Sequence, residues 1–182
     1  MDLQDAKDDL ASLFELETEL RTAKNRQYFL ERRIDDDSDQ IKSFEFSIGV
    51  FEKKIASLKW TLKNLENKID HINAKIKEID LKILKGHHDI PWLKKERNAL
   101  EDEILWVKKR ILGVKSDIAG FEDKIFWIQK KIDDLKDRIA GDKVEIAKLA
   151  TRIAEIEAEI SSVEEDKRKI ISRLAELSKE IN

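Results

Sequence analysis

Apolar residues recur along the chain at alternating spacings of three and four, and one phase is kept over nearly its whole length. Counting in sevens from Leu13 gives Leu20, Gln27, Ile34, Ile41, Ile48, Ile55, Leu62, Ile69, Ile76 and Ile83. Three residues after each of the first ten lie Leu16, Ala23, Leu30, Asp37, Phe44, Phe51, Leu58, Leu65, Ile72 and Ile79. These are the a and d positions of a heptad repeat. In the second half a reads Ile104, Ile111, Ile118, Ile125, Ile132, Ile139, Ile146, Ile153 and Ile160, and d runs from Leu93 through Val107, Phe121 and Leu135 to Ile156 and Val163. A stripe of this period drifts around a helix of about 3.6 residues per turn unless helices supercoil left-handedly. A helix lying on a globular core has a wider and less regular stripe. The pattern therefore predicts a coiled coil, all-α.

Helix stop and start signals occur together at one place, Lys85-Gly86-His87-His88-Asp89-Ile90-Pro91-Trp92. Gly86 suits the left-handed residue after a helix end. Pro91 suits the first turn of a new helix, disfavours helical geometry at Ile90, and places Asp89 near the positive end of the new helix dipole. The expectation is one rod over residues 1–182, with helix 1 over about 3–85, a turn over about 86–90 and helix 2 over about 91–181. Nearly equal arms predict a long antiparallel hairpin. The rival, one kinked helix in a parallel bundle, sets many like charges together at its flanking positions, as in Glu96 against Glu101 and Arg110 against Lys115.

With the turn centred near His88, the numbers of facing residues sum to about 176, so that Ile83 meets Leu93 and Leu62 meets Val114. The polar residues inside the seam obey the same rule. Asp9 falls opposite Lys167, an expected core pair. Asp142 falls opposite Ile34, one layer from Asp37, so both arms lose their apolar seam at one level. Asp37, Gly141 and Asp142 thus mark a candidate hinge. Among flanking pairs, Lys75–Glu103 and Arg33–Glu145 should attract, while Lys54–Lys124 and Glu19–Glu159 should repel. Arg97, at a, faces Ile79 and is expected to snorkel outward.

Several large apolar residues stand outside the seam. Phe46 and Trp60 share one outer position; Trp92, Trp106 and Trp127 share another, interleaved with Ala99, Gly113 and Gly120; Phe14, Tyr28 and Phe126 share a third. Columns of this kind read as a second packing face. Phe46, Trp60, Trp106, Phe126 and Trp127 are the candidates for lateral self-association into a multi-helix bundle. Leu3, Leu10 and Ile171 add apolar surface near the open end. At the turn, His87, His88, Ile90, Pro91 and Trp92 are candidates for contact with a partner, unless Ile90 and Trp92 merely cap the last core layer.

Composition removes several function classes. Charged residues make up 41%, with 5 Gly and 1 Pro, too little punctuation for a sheet protein. The formal net charge is −3 with both signs interspersed, which lacks the basic face of a nucleic-acid binder. There is no cysteine. Zinc-hook coils of the chromosome-maintenance type also turn back as hairpins, but on a cysteine motif at the bend, so no family resemblance is carried by these residues. His87 and His88 with Asp89 lack further ligands for a metal. Asp35, Asp37 and Asp39 open like a calcium loop, yet Gln40 stands where glycine is needed and Phe46 where the bidentate glutamate belongs. No phosphate loop or concave pocket is indicated, so neither catalysis nor a cofactor or metal is expected. With no signal-peptide core at the N-terminus and no transmembrane stretch, the cytoplasm is the default location.

The sequence thus predicts a structural, scaffolding coiled coil that assembles with itself into an oligomer or filament. The alternatives are a membrane-active helical protein, disfavoured by the acidic charge, and an adaptor that binds another protein at the tip.

Overall fold

A computed structural model describes residues 3–86 and 89–180, with side chains over 11–86, 89–169 and 171–172. It consists of two helices, α1 (Leu3–Leu84) and α2 (Ile90–Glu180), with no strand among the described residues. The helices pair antiparallel, as the heptads and the Gly/Pro signals lead one to expect. Mid-helix hydroxyls do not interrupt them. Thr22, Ser47, Thr61, Thr151 and Ser161 each donate to the carbonyl four residues back, at 2.9–3.2 Å, instead of competing for the backbone elsewhere.

The turn is built from the expected parts. The Lys85 N–H donates to the Leu81 carbonyl at 3.1 Å and the Gly86 N–H to the Ile83 carbonyl at 3.1 Å. Gly86 has φ +71°, a conformation that costs glycine nothing and other residues a Cβ clash. On the far side the Asp89 carbonyl accepts from the Leu93 N–H at 3.0 Å, which makes Asp89 the N-cap of α2. Pro91 occupies the first turn, where its missing N–H is not needed. Ile90 is helical although a proline follows it. The steric bias against helix before proline is weakest at a helix start, and α2 begins one residue early. His87 and His88 lie outside the described residues.

By contact density the hairpin divides into two compact units, Lys42–Ile132 and the pair of stretches Met1–Ile41 and Asp133–Asn182. In the unit that carries the turn, Leu65, Val107 and Ile111 form a buried cluster with Leu62, Ile69 and Val114 packed against it. Leu62 and Val114 therefore sit in one cluster, as the numbering rule requires. The Phe51 and Phe121 rings lie 5.5 Å apart, centroid to centroid. In the other unit the buried apolar residues include Ala23 and Leu30 of α1 and Leu135, Ile153 and Ile156 of α2. Every fully buried residue among those described occupies an a or d position, including Asp37 and Asp142. The side chains of Asp9, expected opposite Lys167, and of Leu3 and Leu10 lie outside the described residues.

Replacing Gly86 by alanine should lower stability by about 1–2 kcal/mol, the cost of a left-handed residue with a Cβ, and asparagine should cost less. Urea unfolding followed by helicity measures this. An alanine tolerated at no cost would contradict the left-handed geometry.

Candidate functional site

Two arginine–aspartate pairs cross between the arms at the level where the apolar seam fails. On α1, Arg33 stands at g and Asp37 one turn later at d; on α2, Arg138 and Asp142 occupy the same two letters. Arg33 donates from Nε to Asp142 Oδ2 at 2.7 Å and from Nη2 to Oδ1. Arg138 donates from Nε to Asp37 Oδ2 at 2.6 Å and from Nη2 to Oδ1. Each contact is a bidentate fork, the strongest form of this pair, and the two are related by a local twofold. The carboxylates are buried, at 5% and 4% exposure for Asp37 and Asp142, while both guanidinium side chains remain nearly half exposed. The arginines therefore reach into the seam from its edge and keep water on one side.

The hydrogen bonds from Arg33 hold the Asp142 carboxyl below the usual carboxylate range, and burial opposes this only in part. Donating to Asp142 and Asp37 in turn favours the charged forms of Arg33 and Arg138. Because the folded-state pKa of Asp142 is depressed, its contribution to stability is present above the ordinary aspartate range and is lost as pH falls through the folded value. Gly141, the third hinge candidate, is exposed, and an added Cβ there would meet nothing within 4 Å.

Flanking charges complete the match between the arms. Arg26–Glu145, Arg152–Glu19 and Lys68–Glu103 join g to g, at 2.9, 2.9 and 2.7 Å. Lys24–Glu157 and Lys59–Glu122 join e to e, at 2.7 and 3.9 Å. Same-letter pairing is what antiparallel helices require. Two expected partners differ. Glu145 pairs with Arg26 because Arg33 is taken by Asp142. Glu103 pairs with Lys68, whose hydrogen bond holds its carboxyl below the usual range, with Lys75 a more distant contributor. The expected repulsions are also relieved. Arg152 lies between Glu19 at 2.9 Å and Glu159 at 3.7 Å. Lys54 and Lys124 both lie over the Phe51 and Phe121 rings, 5.1–6.0 Å from their centroids. Arg97 turns outward to Asp80 at 2.9 Å and Glu101 at 3.2 Å.

These charges select one register. Sliding one arm by a heptad in one direction brings Asp37 level with Glu145. Sliding it the other way brings Arg26 level with Arg138 and Glu19 level with Glu145. The arginines are what sequence reasoning missed, and the signal was present: Arg-x-x-x-Asp recurs in both arms at the same heptad letters.

The outer aromatic candidates all stand in solvent. Phe46 and Trp60 are exposed on α1, two heptads or about 21 Å apart along the helix. Trp106, Phe126 and Trp127 are exposed on α2. Only the neighbours Phe126 and Trp127 touch within this set, edge to face at 5.8 Å. At the turn Ile90 is half-buried and Pro91 exposed, and Trp92 at 57% exposure does not cap the core. Asp35, Asp37 and Asp39 lie on continuous helix, with Asp37 turned inward, so they do not form a loop. Among the described residues no group of three His, Cys, Asp or Glu side chains is placed to hold a metal ion, and no helix is long and apolar enough to cross a membrane.

This chain is similar in fold to a crystallised coiled-coil segment of Smc from Pyrococcus yayanosii, made of residues 345–468 and 694–814 of that protein. The TM-score is 0.80 at 20% identity, over 98% of this chain and 77% of that one. Two distant stretches of one polypeptide form that segment, the arrangement of two arms seen here. No family model and no curated protein matches the sequence.

Replacing Arg33 by alanine should lower the urea midpoint at pH 7, since it leaves Asp142 buried without its fork. The loss should shrink below about pH 4, where a protonated carboxyl needs no partner. The double variant Asp37→Leu/Asp142→Leu should be neutral or more stable by about 1–4 kcal/mol. A pH-independent Arg33→Ala loss would contradict the role given to the fork.

Proposed function

We propose that the chain is a non-catalytic structural coiled coil whose hairpins assemble with one another through the outer aromatic residues. One observation carries this reading. Trp106 and Trp127 recur at the same outward position of α2 and remain 52% and 60% exposed, although the hairpin already buries its own a and d seam. Phe46 and Trp60 repeat the situation on α1. Large apolar side chains recurring at one helix position form a surface that is stabilised by a second packing partner. The two-armed fold, similar to that of the Smc coiled-coil segment, suits a part that acts through its length and contacts.

A second reading is favoured by Trp92, exposed beside Pro91 at the turn. A rigid tip of this kind suits docking to another protein.

Light scattering on the full chain separates the two. Trp106→Glu with Trp127→Glu should reduce an assembled mass toward that of one chain while helicity stays high. Trp92→Ala should leave the mass unchanged. A single-chain mass for the unaltered protein would remove the self-assembly reading and leave the tip.

A further inference from the structure

The outer column of α2 that carries the tryptophans has an order of its own. At successive heptads it reads Ala99, Trp106, Gly113, Gly120 and Trp127. All five positions are exposed. A Cβ added at Gly113 or Gly120 would meet nothing within 4 Å, so the hairpin's own packing gives no reason for glycine there. Glycine inside a helix is nonetheless destabilising relative to alanine. A close neighbour from outside the chain is one physical use for both.

Building on the self-assembly reading, we propose that a second copy of this chain packs its α2 antiparallel against this column, with the twofold axis at Gly113. In that arrangement Trp106 of one copy lies over Gly120 of the other, Trp127 lies over Ala99, and Gly113 meets Gly113. Trp106 and Trp127 each face a small residue, and Trp92, one heptad before Ala99, falls opposite Asp134. A shallow hollow of about 160 Å³ already exists at Gly120, lined by Ser116, Asp117, Phe121 and Lys124.

The charges beside the column select the same register. The adjacent g position reads Glu96, Glu103, Arg110, Asp117, Lys124 and Lys131. Antiparallel packing about Gly113 places Glu96 by Lys131, Glu103 by Lys124 and Arg110 by Asp117, so every pair is of opposite sign. Arg110 stacks over its own Trp106, 5.0 Å from the ring centroid. Seating that indole in the hollow therefore carries the guanidinium to Asp117 in the hollow's wall. Glu103 is engaged by Lys68 within its own chain, yet its side chain is still 40% exposed and has room for a second cation. Sliding by one heptad in one direction brings Arg110 against Arg110 and Trp92 over Trp127. In the other direction it brings Asp117 against Asp117 and Trp106 over Trp127. Size and charge agree on one register.

The absence of native cysteine makes the test clean. In the full chain, Gly113→Cys should form a disulfide-linked dimer on mild oxidation, since it lies on the axis, whereas Leu81→Cys on α1 should not. Arg110→Asp should weaken self-association about tenfold, because it turns two attractive pairs repulsive. Adding Asp117→Arg should restore it. These two residues are two turns apart within one chain, so rescue reports contact between copies. Light scattering reads both. A dimer that neither crosslinks at Gly113 nor recovers on the charge swap overturns this register and leaves the self-assembly reading standing. A single-chain mass throughout overturns both.

Discussion

The register of one arm against the other is the constraint on which the structure depends. It is set at two levels. The isoleucine and leucine seam supplies most of the burial, but a seam so uniform is nearly indifferent to a slide of seven residues, since almost any a residue meets an equivalent d residue after the shift. Charge removes that freedom. Asp37 and Asp142 are acceptable in the interior only where Arg138 and Arg33 reach them, and the flanking pairs of the observed alignment attract. Buried ion pairs contribute less to stability than well-packed apolar residues of similar size; their best-attested use is to specify register.

Much of this was legible in the sequence. The heptad letters located every fully buried side chain among those described, because burial in a coiled coil follows from period alone. Gly86 and Pro91 marked the turn because each has one physical use at a helix boundary. The level at which both seams fail was also visible, from Asp37 and Asp142. What was not visible was how the failure is mended. Arg33 and Arg138 stand at g, where a charge ordinarily serves the flank, and their reach into the core depends on a long stem lying along the seam. Exchange of flanking partners was hidden for a related reason. A long side chain spans either of two neighbours a heptad apart, and a third charge decides between them, as when Asp142 takes Arg33 and leaves Glu145 to Arg26. The expected clash of Lys54 with Lys124 fails because two phenylalanine rings at d offer their faces to both ammonium groups.

The proposed function, by contrast, rests on what the hairpin leaves unused. The seam consumes the a and d positions and the fork consumes two of the arginines at g. The aromatic columns are called on by neither. Within one chain Trp106 receives the Lys68 ammonium of the other arm 5.8 Å from its ring centroid, and Trp127 contacts Phe126 and Lys130 of its own helix. On the self-assembly reading the functional surface is an outer helix face, and complementarity of size and charge is the chemistry such a face has available.

The direct test of the hairpin that the register presupposes is a distance within one molecule. Spin labels on cysteines at Lys24 and Glu157, diluted with unlabelled chain so that only intramolecular pairs count, should lie within about 20 Å, as adjacent helix axes about 10 Å apart allow. A separation near 200 Å, the span of about 133 residues in one unbroken helix, would contradict the hairpin and everything built on its register.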